Sequence, residues 1–169
     1  MNVRRRPMLA FLVLLGVSAA TSSLACLLAS HLVWNGTESI PRGLYWVTHD
    51  TFCQRGDLVV FPVPPAMRPL VHERGYLPDG YVLLKPVVAV AGDRVCISDD
   101  VALVDDAPIG RVLATDSEGR PLPHDDLCGP VPPRHLYVAS HHPRSFDSRT
   151  FGPVDAATIR GKATPLWTF

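Results

Sequence analysis

An uninterrupted apolar run near the start of the chain most restricts what this sequence can fold into. Between Pro7 and Ser30 the only side chain that can ionise is the thiol of Cys26. The run is long enough for the ~20 residues that a membrane-spanning helix needs, and three consecutive arginines directly precede it. Because basic residues favour the cytoplasmic side of a span, the sequence predicts a cytoplasmic basic segment over residues 1–6 and a transmembrane anchor over 7–34.

Two other fates of this run stay open. A cleaved signal peptide also begins with basic residues and ends near small ones, such as Ala25 and Ala29. The run exceeds the roughly 7–15 apolar residues of a typical signal core, which favours the uncleaved anchor. The order Ser-Leu-Ala-Cys that ends at Cys26 loosely fits a lipidated cysteine. With the anchor intact, residues 35–169 are expected on the outer side of the membrane, as part of a single-pass protein.

The remaining residues are enough for one domain rich in β-strands. Lys plus Arg and Asp plus Glu both total 16, so no basic excess favours a nucleic-acid partner. No segment sustains a helical apolar period over three turns, whereas short runs of alternating or β-branched residues recur between turn signals. These runs are GLYWVTH, DLVVFPV, YVLLKPVVAV, DRVCIS, VALVDD, RVLATD, HLYVAS and TIRGKATPLW. The predicted fold class is mainly β, with residues 62–79 as an exposed loop.

An excursion of hairpins is expected between about residues 94 and 136. Its turn signals are Ser98-Asp99-Asp100, Asp105-Asp106 and the stretch from Asp116 to Gly119.

The four cysteines bear on the same region. Outside the cytoplasm a disulfide is permitted, and a bond between Cys96 and Cys128 would close a loop of about 33 residues at the base of the excursion, worth roughly 3–4 kcal/mol. Cys53 is then left over. No C-x-x-C or H-x-x-x-H spacing is present, so a metal site is not expected.

Ser39 follows the apolar run closely and is a candidate nucleophile, which at neutral pH requires a nearby base. His141, His142 and Asp147 leave a Ser-His-Asp arrangement open, but no G-x-S-x-G elbow surrounds the serine. Lys85 is one of only two lysines and lies among valines and leucines. Burial disfavours its ammonium form and would bring its pKa from ~10.4 towards the ~7–8 that suits a general base.

Four segments, in the order NGTESIPRGLYWV, GDLVVF, LLKPVVAVAGDRV and SFDSRTFGPV, resemble the conserved boxes of type I signal peptidases. They look most like the conjugative-transfer, TraF-type branch, because Pro86 stands where general signal peptidases usually carry arginine. Ile40 replaces the methionine that often follows the serine. The resemblance implies a signal-peptidase-like β-sheet or barrel domain in which Ser39 is the nucleophile and Lys85 is the base.

The same resemblance assigns supporting roles. The backbone N–H of Ser39 and the hydroxyl of Thr37 match the groups that stabilise the oxyanion of the tetrahedral intermediate. Ser145 matches the hydroxyl that orients the lysine amine. Asp147 and Arg149 match a salt-linked scaffold beneath the site. His141 and His142 occupy the stretch of a G-D-N-R box that this sequence lacks, and both are expected at the surface.

The resulting expectation is a membrane-anchored Ser/Lys endopeptidase that removes the leader from an exported precursor. The resemblance to the TraF-type branch implies a conjugative pilin precursor and a bacterial inner membrane, with the catalytic domain over residues 35–169 on the periplasmic side. Its partners would be the precursor, membrane lipid and the conjugative transfer apparatus, with no cofactor and no nucleic acid. Some members of the branch join the acyl group to the substrate's own amino terminus. The alternatives are a general type I signal peptidase and a non-catalytic anchored β-domain of a secretion or pilus assembly.

Overall fold

The computed structural model describes residues 5–169, so residues 1–4 of the predicted basic segment 1–6 lie outside the described residues. The chain divides into two compact units between Leu32 and Val33. The first unit contains helix α1, Arg5–Ala29. Within the described part of the chain no helix is long and apolar enough to cross a membrane, so the predicted transmembrane helix is not confirmed.

The second unit, which begins at Val33, is mainly β, as the sequence predicts. The strands are β1 Leu32–Asn35, β2 Gly43–Thr48, β3 Leu58–Pro62, β4 Val82–Val90, β5 Arg94–Ser98, β6 Val101–Val104, β7 Ala107–Arg111, β8 Gly129–Pro130, β9 His135–Val138, β10 Val154–Asp155 and β11 Gly161–Thr168. The short helices are α2 Arg68–Glu73 and α3 Ser148–Phe151, and two single 3-10 turns cover Pro65–Met67 and Ala156–Thr158.

Seven strands form the larger sheet, in the order β1-β2-β11-β3-β4-β9-β10. The last strand, β11, lies between β2 and β3 and pairs with both in antiparallel register. Strand β4 is also central, with β3 on one side and β9 on the other. The sheet is therefore complete only when the end of the chain has been inserted into it.

Alternation along β3 and β4 distributes side chains to two separate cores. Val59 and Phe61 join one buried cluster, while Val60 between them joins another. On β4, Leu83 and Val87 belong to the first cluster and Leu84 to the second. Because successive side chains on a strand point to opposite faces, the residue midway between Leu83 and Val87 is directed to the first cluster as well.

The smaller sheet has the strand order β7-β6-β5-β8 and falls within the predicted excursion. Asp99 and Asp100 connect β5 to β6, and Asp105 and Asp106 connect β6 to β7, all four with positive φ. Aspartate tolerates this conformation better than most residues, which explains two tight hairpins built without glycine. The predicted disulfide between Cys96 and Cys128 is present and fastens β5 to the segment that enters β8.

Two local predictions are wrong. Residues 111–116 were expected as a strand, but β7 starts directly after the Asp105-Asp106 turn and ends at Arg111. Beyond the N–H of Val112, which donates to the carbonyl of Asp100, the segment leaves the sheet. Residues 62–79, expected as a loop, contain α2 and the preceding 3-10 turn, each of which has a proline in its first two positions. Proline is pre-organised for that place in a helix.

We expect the double variant Cys96→Ser/Cys128→Ser to lose about 3 kcal/mol of the free energy of unfolding, because the disulfide restricts the unfolded chain. Urea denaturation monitored by tryptophan fluorescence measures the loss. Cys53→Ala is the matched control, since Cys53 has no disulfide partner. Free thiols at both positions 96 and 128 in an unreduced peptide map would contradict the bond.

Candidate active site

The turn that carries Ser39 is organised by one buried side chain, Asn35, at the end of β1. The side-chain amide nitrogen of Asn35 donates to the carbonyls of Thr37, Ile40 and Pro41 over 2.9–3.1 Å. Its side-chain oxygen accepts from the backbone N–H and the hydroxyl of Thr37. The loop therefore wraps around a single amide, which fixes the position of Ser39.

The hydroxyls of Ser39 and Thr37 lie 3.1 Å apart, within hydrogen-bond distance. Thr37 is also 2.8 Å from the side-chain oxygen of Asn35, which can only accept. The single proton of Thr37 therefore goes to Asn35, and the hydroxyl of Ser39 is the donor to Thr37. In this arrangement the Thr37 hydroxyl donates its only proton to Asn35, so it cannot also donate to an oxyanion.

Lys85 is the residue midway between Leu83 and Val87 on β4, and its side chain is only 4% exposed. Strand alternation thus places an amine at the edge of an apolar cluster, as its position in the sequence predicts. Burial is the largest influence on this amine and lowers the pKa of Lys85 from 10.5 to about 8. The nearby charge of Asp147 raises it and that of Arg149 lowers it, and neither reverses the effect of burial.

The Lys85 amine donates to the hydroxyl of Ser145 at 2.9 Å. The backbone N–H of Ser145 donates in turn to the carbonyl of His142, which closes a tight turn before α3. Ser145 is itself buried, so the bond to Lys85 is shielded from bulk water. The contact orients the amine and leaves its nitrogen in a dry environment.

Asp147 and Arg149 form a fully buried, two-pronged ion pair. The guanidinium of Arg149 donates to both carboxylate oxygens of Asp147, at 2.7 and 2.9 Å. Asp147 also caps α3 and accepts from the backbone N–H of Ser140. Arg149 further donates to the carbonyls of Ser140 and His142. With both charges satisfied, the pair acts as a rigid scaffold next to Lys85.

Ser39 and Lys85 line the same cavity, of about 500 Å³. Thr37, Ser145 and Arg149 line it too. Among residues 5–169 no direct hydrogen bond joins the Ser39 hydroxyl to the Lys85 amine, since each contacts a different hydroxyl. The structure therefore brings the proposed nucleophile and base into one cavity without showing them bonded to each other.

The residues that left a Ser-His-Asp triad open in the sequence, His141, His142 and Asp147, do not form one. His142 lines the cavity, but its Nε2 is 3.8 Å from the exposed carboxylate of Glu38. His141 is exposed. Asp147 contacts Arg149, and within the described chain no histidine is bonded to it. Nor does any group of His, Cys, Asp and Glu among the described residues have the geometry of a metal site.

Comparison with known proteins gives the family. A model described as "Signal peptidase, peptidase S26" matches residues 4–167. The chain is 36% identical to the conjugal transfer protein TraF of Agrobacterium fabrum (strain C58 / ATCC 33970), covering 98% of both chains. It is 33% identical to a plasmid transfer protein TraF of Escherichia coli, over 80% of this chain and 82% of that one.

The chain belongs to the signal peptidase family, in its conjugal-transfer branch. In solved structures, it is similar to a signal peptidase I of Enterococcus faecalis V583, with a TM-score of 0.41 and 24% identity over 66% of this chain and 97% of that chain. Three of the four sequence boxes of this chain contribute to the cavity. The first box supplies the Asn35 turn, the third contains most of β4 with Lys85, and the fourth runs from Ser145 into α3.

The sequence analysis missed two residues of the candidate site. Asn35 makes five hydrogen bonds to the loop that carries Ser39. Asp116, which was expected only as a turn residue, lines the cavity. The signal for Asn35 was available, because Asn at the start of a Gly-containing turn commonly bonds to backbone two residues on. For Asp116 no local signal exists, since its partners at Arg74 and Tyr76 are distant in sequence.

We expect Lys85→Met to stabilise the fold at pH 7 by about 1–3 kcal/mol. A pKa lowered from 10.5 to about 8 means that the buried ammonium is disfavoured by about 3 kcal/mol below pH 8. Between pH 8 and 10.5 the unfolded lysine still binds a proton that the folded one has lost, so wild-type stability rises relative to the variant as pH increases. Chemical denaturation at pH 7 and pH 10 measures the difference, and a pH-independent difference would contradict the lowered pKa.

Proposed function

We propose that the chain is a membrane-anchored serine endopeptidase that uses Ser39 as nucleophile and Lys85 as general base. The observation that carries the proposal is the shared cavity, where a serine hydroxyl and a buried, readily deprotonated amine face one space. With a pKa of about 8, about a tenth of the Lys85 amines are neutral at pH 7, enough to accept a proton. The reaction class is acyl transfer.

The steps follow from the contacts of the two side chains. The Ser39 hydroxyl turns from Thr37 towards Lys85, which takes its proton as the oxygen attacks the scissile carbonyl. Lys85 then returns the proton to the departing amine, leaving an acyl group on Ser39. Water, deprotonated by the same amine, releases the acyl group. Throughout these steps the hydroxyl of Ser145 keeps the Lys85 amine oriented by accepting a hydrogen bond from one of its N–H groups.

In the proposed mechanism, the oxyanion of the tetrahedral intermediate accepts a hydrogen bond from the Ser39 backbone N–H. When Ser39 turns to Lys85, Thr37 loses a donor but still gives its own proton to Asn35. For Thr37 to bind the oxyanion, its hydroxyl must exchange Asn35 for the substrate oxygen. Asn35 keeps the backbone N–H of Thr37 as a donor during that exchange. Removal of one oxyanion donor typically costs about 3 kcal/mol.

An extended substrate fits beside the first half of β4. Strand β9 pairs with β4 only from Val87 onwards, so within the described chain β3 alone pairs with Val82–Lys85. The carbonyl of Pro86 faces away from β3, because it accepts from the N–H of Ala139. Alternation gives the backbone N–H and C=O of Leu84 the same direction, and Leu84 lines the cavity. A substrate strand can hydrogen-bond there by adding to the sheet.

The substrate class rests on the relatives, which carry the names of conjugal and plasmid transfer proteins. We infer an exported pilin precursor whose leader is removed during the assembly of a conjugative apparatus. The acyl group on Ser39 can pass to water or to an amino terminus of the substrate itself, which would close a ring. A cyclic product weighs one water less than the hydrolysed one, so mass spectrometry of the product distinguishes the two outcomes.

Attachment to the inner membrane, with the catalytic unit on the periplasmic side, is part of the proposal. The apolar run from Pro7 to Ser30 and the arginines before it support it. In the second unit, the rings of Trp34, Trp167 and Phe169 form an exposed cluster with centroids 5.2–6.4 Å apart. Aromatic side chains of this kind are enriched at membrane–water interfaces.

Ser39→Ala and Lys85→Arg are expected to lower precursor processing by at least about 100-fold, because they remove the nucleophile and the base. Co-expression with candidate pilin precursors, followed by mass measurement of the products, is the test. The wild-type rate should also rise with pH through about 8, as Lys85 loses its proton.

Matched controls exist for both variants. Lys162, the chain's other lysine, forms ion pairs with Asp50 and Asp57, and Lys162→Arg keeps its charge. Ser98→Ala removes an exposed hydroxyl from the last residue of β5. Both should process the precursor normally. A fully active Lys85→Arg enzyme would exclude lysine as the base, whereas an inactive wild type with every precursor would favour the non-catalytic β-domain.

The anchor is expected to remain uncleaved. The full-length chain should stay in the membrane pellet after carbonate extraction, and its amino-terminal sequence should be that of the start of the chain. A variant with Leu14 and Leu15 both changed to Asp should be released, because each charge in the apolar run is costly in lipid. A mature terminus near Ser30, or release of the unaltered chain by carbonate, would contradict the anchor.

A further inference from the structure

The segment that joins β7 to β8 is hydrogen-bonded at both of its ends to the same residue, Arg149 of α3. We call residues 111–125 the strap. At its start, a guanidinium nitrogen of Arg149 donates to the carbonyl of Arg111 at 3.3 Å. At its end, the N–H of Asp125 donates to the carbonyl of Arg149 at 3.1 Å. The strap thus begins and ends at the ion pair that lies next to Lys85.

Gly110 makes the first of these contacts feasible. A Cβ at this position would lie 2.5 Å from a guanidinium nitrogen of Arg149, and the backbone has φ +143°, which side chains other than glycine rarely adopt. The approach of the strap to the ion pair therefore requires glycine at the residue before it.

The middle of the strap is fixed by Asp116, whose side chain is only 6% exposed. One carboxylate oxygen accepts from Tyr76, Arg74 and Arg120. The other accepts from the backbone N–H groups of Glu118 and Arg120. Although burial raises the pKa of the Asp116 carboxyl, these hydrogen bonds lower it well below its ordinary value. The carboxylate therefore stays charged and bonded across the working pH range.

Two further contacts join the strap to the residues that follow α2. Arg74 donates to the carbonyl of Pro121 at 2.9 Å, and the guanidinium of Arg120 lies over the ring of Tyr76, 5.7 Å from its centroid. Tyr76 packs in turn edge-to-face on Phe146. The strap lies outside both sheets, and ordering such a segment costs conformational entropy. The five hydrogen bonds to Asp116 and the stacked ring of Tyr76 offset that cost and hold the strap in one conformation.

The inward side of the strap faces the candidate active site. Leu113, Ser117 and Leu122 line the cavity that also contains Ser39 and Lys85. Without the strap this side of the cavity would be open to water. Its apolar leucines and its immobilised backbone have the properties of a wall against which a substrate side chain packs.

We propose that the strap is a wall of this cavity that determines substrate specificity. The Asp116 cluster, which is Asp116 with Arg74, Tyr76 and Arg120, holds Leu113 and Leu122 in place. These two leucines thereby limit the size of the apolar substrate side chain that can enter beside Ser39. The proposal rests on the proposed function. If the Asp116 cluster is weakened, the strap can move away from the cavity, and bulkier substrate side chains are then accepted. The same change weakens the binding of small substrate side chains, because they lose a preformed surface to pack against.

The test is a set of peptides that span the cleaved bond of the precursor, each with alanine or leucine at one of the three positions on either side. The wild type should prefer alanine at least tenfold at one or more positions. Asp116→Asn should raise KM for the alanine peptide and reduce the alanine-to-leucine ratio of kcat/KM at least threefold there. Tyr76→Phe removes one of the five donors and should show the same change in smaller degree.

Asp106→Asn is the matched control. Asp106 is an exposed turn residue of the same excursion, and the substitution removes one charge without touching the strap. Its alanine-to-leucine ratio should equal that of the wild type. If Asp116→Asn fails to fold, Leu122→Ala replaces it, since that variant keeps the Asp116 cluster and enlarges the cavity directly. An unchanged ratio in Asp116→Asn or, in its place, in Leu122→Ala overturns the proposal, and so does an equal fall in kcat for every peptide.

Binding separates this proposal from the function on which it rests. Calorimetry with the Ser39→Ala variant gives the affinity ratio of alanine to leucine peptides without turnover. One outcome is that the wild type cleaves no peptide while the alanine-to-leucine affinity ratio still changes on Asp116→Asn. In that case the proposed function is wrong and the proposed role of the strap is supported. If the wild type cleaves but neither ratio depends on Asp116, the function stands and the wall is wrong.

Discussion

Among the residues that the structure describes, no carboxylate is bonded to the buried amine of Lys85, and the role proposed for this lysine depends on that imbalance. Asp147 lies close enough to raise the pKa of the lysine, but Arg149 occupies both of its oxygens. The two opposite charges therefore offset each other in part at the amine, and desolvation has the largest effect on the pKa of Lys85. Without the guanidinium, Asp147 would stabilise the ammonium form of Lys85, which could then not serve as the proposed base. In the proposed mechanism Arg149 therefore acts by neutralising a neighbour of the lysine.

The site is built on both rigid and mobile contacts. Lys85 is rigid because β4 is a central strand, with a partner on each side over part of its length. Ser39 lies in a turn whose backbone carbonyls are held by one amide, that of Asn35. Only the two hydroxyls, of Ser39 and Thr37, must reorient for the proposed reaction. The backbone is therefore preorganised, and the rearrangement is confined to single-bond rotations that are fast compared with turnover.

The sequence predicts those parts of the molecule that depend on neighbours along the chain. Strand alternation places Lys85 in the core, and aspartates that tolerate positive φ mark the hairpins at residues 99–100 and 105–106. What it could not predict depends on distant partners. Strand β7 stops at Arg111 because the chain there turns towards Arg149, and Asp116 is buried because Arg74 and Tyr76 meet it. No local propensity encodes a contact across some forty residues.

Arg149 contacts both the residues next to Lys85 and the strap. Its guanidinium pairs with Asp147 beside Lys85, the proposed base, and donates to the carbonyl of Arg111 at the start of the strap. Its backbone carbonyl accepts from the N–H of Asp125 at the end of the strap. Nε and one terminal nitrogen of the guanidinium bond Asp147, and the other terminal nitrogen bonds the strap. Asp147, which acts on the pKa of Lys85, and the strap, which lines the cavity, therefore have one bonding partner in common.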